Sequence, residues 1–121
     1  MLIERKRSSS PEATCRIVSE AARWLKAELK GAAINFSYGR CNDETFDSYA
    51  TFVITRKVDE GMLVLDIRIA EVGGQPYVFA DARPVGNTHQ SGFPIFGEIA
   101  SEDGKILLLH FISDFVLGSG G

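Results

Sequence analysis

The spacing of apolar side chains changes once along this chain, and that change limits what it can fold into. Between Pro11 and Lys30 the residues Ile17, Val18, Ala21, Ala22, Trp24, Leu25 and Leu29 recur at helical spacing. At about 100° per residue they form one broad stripe. Arg16, Ser19, Arg23, Lys26 and Lys30 fall on the opposite side. From residue 33 onward the period is two, the mark of half-buried strands. The order is therefore helix first, then strands joined by short turns, without strand–helix–strand alternation. That order disfavours a parallel dinucleotide-binding sheet and predicts an antiparallel meander.

The helix carries signals at both ends. Ser10 is placed as N-cap, Pro11 as first helical residue and Glu12 near the positive helix end. Lys26 and Lys30 fall in the last turns, and Gly31 is expected as a left-handed C-cap. The apolar arc covers roughly half the circumference, which suits a helix cradled by a curved sheet.

Strands are read over "AINFSY" (33–38) and "FDSYATFVITRKV" (46–58). The second puts Phe46, Ala50, Phe52 and Ile54 on one face, with Asp47, Tyr49, Thr51, Val53 and Thr55 on the other. "DEG" (59–61) is a hairpin turn with Gly61 at positive φ. In "MLVLDIRIAEV" (62–72) Leu63, Leu65, Ile67 and Ile69 face inward while Asp66 and Arg68 face outward. "GGQP" (73–76) turns the chain into "YVFADARPV" (77–85), and "IFGEIA" (95–100) follows a longer loop. Residues 105–116 fit two periods, since Leu108, Phe111, Ile112 and Phe115 also match a helix. The preceding "SEDG" turn and the β-branched and aromatic content favour a strand. The expected architecture is α+β: one long N-terminal helix packed on a curved antiparallel sheet of five or six strands, helix-grip or cystatin-like in shape. It is read as a single domain over 1–121, with 1–9 flexible or a short edge strand and 118–121 a flexible tail.

With 121 residues, 45% hydrophobic and 24% charged, the chain can bury a core without disulfides or a structural metal. Cys15 and Cys41 are too distant for a CxxC pair and have no partners at zinc-ligand spacing, so they are read as free thiols of a reducing compartment. The basic residues near the start have no apolar segment behind them, and no apolar run approaches the roughly 20 residues of a membrane span. A cytoplasmic protein without membrane contact is expected. The net charge of −3 conceals an asymmetry: residues 1–30 hold seven Lys/Arg against four Glu, and the remainder six against twelve acidic residues. The basic first quarter fits an acidic partner or simply a solvated helix face.

Chemistry-bearing patterns are sparse. The candidate metal ligands His89, His110, Cys15, Cys41, Asp43, Glu44 and Asp47 supply no chelating pair at helical or strand spacing, and "CNDETFD" lacks the pattern of a calcium loop. No metal or cofactor is expected. Arg40 beside Cys41 is suited to lower a thiol pKa, but a base would have to come from distant His89 or His110. His110, in strand phase with Ile106, Leu108 and Ile112, is expected in the core. No catalytic residue is assigned.

Two features remain. Asp66-Ile67-Arg68 and Asp81-Ala82-Arg83 repeat an Asp-x-Arg pattern on successive strands, giving a cross-strand charged grid if they pair. Such a grid is either solvated ion pairing or a recognition surface. The stretch "PVGNTHQSGFPIFG" (84–97) exceeds the usual hairpin length, joining polar Asn87, Thr88, His89 and Gln90 to apolar Phe93, Ile95 and Phe96.

The expected function is a small non-catalytic protein-interaction module of inhibitor, immunity or anti-defence, adaptor or chaperone type. Its contact residues are Asn87, Thr88, His89, Gln90, Phe93 and Phe96, with Tyr49 beside them, and its partner is another protein. Pairing with a second copy through a sheet edge is also open to it. The alternative is a small-molecule-binding protein or enzyme with a pocket between helix and sheet, using Asp66, Arg68, Asp81 and Arg83. A third reading, nucleic-acid binding through Arg16, Arg23, Lys26 and Lys30, is disfavoured by the acidic balance and the lack of basic–aromatic interleaving.

Overall fold

In the computed structural model, residues 11–42, 48–85 and 95–118 are described. Helix α1 (Pro11–Gly31) is followed by strands β1 (Ser37–Asn42), β2 (Ser48–Val58), β3 (Gly61–Val72), β4 (Gln75–Pro84) and β5 (Ile95–Glu98), and then by helix α2 (Glu102–Leu117). The strands form one antiparallel sheet in the order β1-β2-β3-β4-β5. The fold is α+β, as expected, with five strands and a second helix.

Tight turns set the meander. Asp59 and Glu60 join β2 to β3 opposite the Val58–Gly61 pair. Gly73 and Gly74, at φ 60° and 86°, form the two-residue turn between β3 and β4. Positive φ at both central positions gives the hairpin the twist of its strands, and glycine reaches it without a Cβ clash. Between β4 and β5 the register shifts at Val78/Phe79, with Gly97 at φ 90°, so the last strand joins through a bulge.

The register produces one apolar face. Ala50–Ile69–Val78 and Phe52–Ile67–Ala80 lie in cross-strand rows, with Ile54–Leu65 in the next. All are buried, together with Val18, Ala22, Leu25 and Leu29 of α1 and Leu108 and Ile112 of α2. Both helices therefore pack on the same side of the sheet. The α1 stripe behaves as its spacing predicts, except that Ile17, Ala21 and Trp24 are only partly covered at its border.

Three expectations are corrected. Residues 105–116 are helical. Ser101 is an N-cap whose hydroxyl accepts from the Gly104 amide, and Glu102 and Asp103 occupy the acidic first turn. Only Gly104, Leu108 and Ile112, four residues apart, are buried. Ile106 and Leu107, which a strand would place on opposite faces, are both largely exposed. Four consecutive apolar residues carry no period, so the cap and the tertiary contacts decide the element. Gly104 is needed there because a Cβ would collide with the Glu98 carbonyl oxygen.

The first strand is also displaced: β1 begins at Ser37, and 33–36 form the exit from α1. Finally, Gly31 is still helical, and Ala33, at φ 60°, takes the left-handed position. The Ile34 amide donates to the Leu29 carbonyl and the Ala33 amide to the Lys30 carbonyl, a Schellman closure that leaves Ile34 packed against the core. The Ser10 cap lies outside the described residues.

Candidate functional site

The sheet face turned away from both helices is set by the same alternation. Across β2, β3 and β4 its rows are Tyr49–Ala70–Tyr77, Thr51–Arg68–Phe79, Val53–Asp66–Asp81 and Thr55–Val64–Arg83. Among the described residues no helix covers it. Val53, Val64, Tyr77 and Phe79 are nonetheless half-buried by their neighbours.

The Asp-x-Arg repeats meet here, because the β3–β4 register places Asp66 directly opposite Asp81. Two like charges facing across a ladder repel, and Arg83 offsets this by an ion pair to Asp66 and a 3.4 Å contact to Asp81. The side chains are 26% (Arg83), 29% (Asp66) and 15% (Asp81) exposed, so the cluster is more shielded than an ordinary surface pair. Arg68 lies over the Tyr49 ring, 4.8 Å from its centroid. Tyr49 and the four residues of the charged grid, predicted as parts of separate sites, thus share one surface. The grid does not face the interior between helix and sheet.

Asn87, Thr88, His89, Gln90 and Phe93 lie outside the described residues. Phe96 belongs to the β5 backbone, but its side chain also lies outside the description. Cys41 belongs to the β1 backbone, and its side chain lies outside the description. Arg40 points to the helix side, where it donates to Ser19 Oγ (2.6 Å) and Cys15 Sγ (3.0 Å). Cys15 is a free thiol. His110 is exposed rather than in the core: on a helix it lies two residues from both Leu108 and Ile112, about 200° around the axis. Among the described residues no three His, Cys, Asp or Glu side chains gather as a metal site.

The covered side holds polar groups at its margins. Near the start of α1, Thr14 donates to Glu71 Oε1 (3.1 Å), and the Gly74 amide donates to Glu71 Oε2 (2.6 Å), tying the β3–β4 turn to the helix. At the opposite end, a cavity of about 360 Å³ opens between the C-terminal half of α2 and the strand ends, lined by Arg56, Leu63, Pro84, Phe111, Asp114 and Phe115 among others. Sequence reasoning missed Arg56, yet a signal was present. It continues the inward phase of Ala50, Phe52 and Ile54, where a cation is out of place unless something receives it.

No family model, no curated protein and no solved structure matches this chain. Among the described residues no helix is long and apolar enough to cross a membrane.

Proposed function

We propose that this chain is a small protein-binding module that holds its partner against the helix-free face of the sheet. One observation supports the reading above the others: a single surface joins Tyr49, Arg68 and Phe79 to half-buried Val53 and Val64 and to the Asp66–Arg83–Asp81 cluster. Aromatic and arginine side chains around an apolar patch are the residue types that carry most of the energy at protein contacts. The long β2–β3 and β3–β4 ladders hold the strands beneath, so the surface is preorganised and little ordering cost is added on binding. The partner is a protein presenting apolar side chains to Val53, Val64 and Phe79 and packing against the stacked Arg68–Tyr49 pair. The exposed basic residues Arg16, Arg23 and Lys30 lie on α1, across the sheet from this surface.

The test is affinity capture from the native host with quantitative mass spectrometry, using the wild type, an Arg68→Glu/Tyr49→Ala variant and an Arg23→Glu variant. A protein captured equally by wild type and Arg23→Glu, but at least about tenfold less by the sheet variant, supports the reading. Equal capture by all three, or loss only with Arg23→Glu, overturns it. Salt-sensitive nucleic acid lost with Arg23→Glu would instead favour the α1 surface.

A further inference from the structure

We propose that the cavity between α2 and the ends of β2, β3 and β4 binds a small monocarboxylate with an apolar body, its carboxylate received by Arg56. The volume of about 360 Å³ falls within the range of small-molecule sites. Leu63, Pro84, Phe111 and Phe115 make the walls apolar and partly aromatic. The polar group that orients a ligand in such a site comes from a strand, the more rigid kind of support.

The two inward-facing arginines both enclose an Nε without an acceptor, and they differ at their terminal nitrogens. Arg40, the other arginine on the helix side of the sheet, donates to Ser19 and Cys15. Arg56 makes no hydrogen bond or ion pair with any described residue, and its Nε is enclosed without an acceptor. Its contact is with the Phe115 ring, 5.9 Å from guanidinium carbon to centroid. Arg56 is half-buried and has no acceptor side chain among the described residues, so an entering anion supplies its terminal nitrogens with one. The Nε atom is shut in, so the carboxylate approaches end-on, through the terminal nitrogens. One of these, Nη1, lies against Gly118, where a Cβ would intrude to 2.7 Å.

Charge selects the class of anion. Arg83 also borders the cavity, but Asp66 and Asp81 offset its charge. Asp114 and the carbonyl end of α2 add negative potential at the same margin. With a single guanidinium available and Asp114 beside it, the site accepts one negative charge and repels a phosphate dianion. The remaining walls offer little to hydrogen-bond, so the rest of the ligand is apolar. This site opens on the helix-covered side; it shares Arg83 at its border with the proposed protein contact but uses neither Tyr49 nor Arg68, the residues altered to test that contact.

Arg56 also complements the C-terminus of α2, which has no basic residue in its own last turn. That structural role predicts lower stability on replacement but no ligand preference, so the two are separable. The test titrates the full chain with 4-phenylbutyrate, its neutral amide and inorganic phosphate, followed by backbone amide NMR shifts. The expected result is binding of 4-phenylbutyrate at least about tenfold tighter than the amide, with shifts centred on Arg56, Phe111 and Phe115. Arg56→Gln should erase that preference. Ala82→Phe, at the exposed rim of the cavity, should fill the space and weaken 4-phenylbutyrate at least about tenfold while the helical circular dichroism stays unchanged. Equal binding of acid and amide, phosphate binding as tight as the acid, absence of binding, or unchanged binding in Ala82→Phe each overturns the proposal. The last measurement decides the matter even if Arg56→Gln fails to fold. None of these outcomes bears on capture by the sheet face.

Discussion

The two faces of the sheet are built from the same strands but solve different problems. On the covered side Phe52, Ile67 and Ala80 meet α1 and α2 in a dry layer, and the polar groups described there lie at its margins. On the other side the neighbouring rows alternate aliphatic, aromatic and charged residues, and the cross-strand pairs themselves supply the shielding. Burial by a second layer stabilises the fold through apolar area, whereas cross-strand shielding contributes tenths of a kcal/mol per pair. The covered side thus holds the molecule together, leaving the other side available for contact.

The most severe challenge to this division compares two phenylalanines. Phe52→Ala should cost about 3 to 5 kcal/mol, because a fully buried ring leaves a cavity between sheet and helices. Phe79→Ala, on the half-buried face, should cost about 1 kcal/mol. Equal losses in urea unfolding would mean that the second face is as firmly covered as the first.

A smaller effect is expected where α2 meets the sheet. Gly104→Ala forces a methyl group into the Glu98 carbonyl, and the backbone must part by about 1 to 3 kcal/mol of strain. Helical propensity alone predicts the opposite sign, since alanine is the better helix former. Thermal unfolding of the variant therefore reads packing against propensity directly.

The smallest effect belongs to the charged cluster. Arg83→Met leaves Asp66 facing Asp81 without compensation and should cost about 1 kcal/mol at low salt. The loss should shrink as added salt screens the repulsion, and a further Asp66→Asn should restore most of it. A loss that is independent of salt would show that Arg83 acts through packing of its stem rather than through charge.

Much of this was legible in the residues. The α1 stripe, the phase of β2 and β3, the Gly73–Gly74 turn and the shared outward phase of each Asp-x-Arg pair all follow from local period and turn chemistry. What stayed illegible has identifiable causes. Ile106 to Leu109 is apolar without a period, so the Ser101 cap and the fit of Gly104 under Glu98 chose the helix. The site residues were divided among separate hypotheses because strand phase tells which residues share a side, but not which side the helices take.

The sequence by itself determined the class of fold, the antiparallel order of the central strands and the membership of the two faces of β2 and β3, because these depend on periods of 3.6 and 2 and on turn residues that act locally. Only the tertiary structure decided that both helices lie on one side, that Tyr49 and the Asp-x-Arg grid share the opposite surface, and that Arg56 lines a cavity without an acceptor. Those outcomes depend on pairing register and on packing between residues far apart in the chain, which no local pattern encodes.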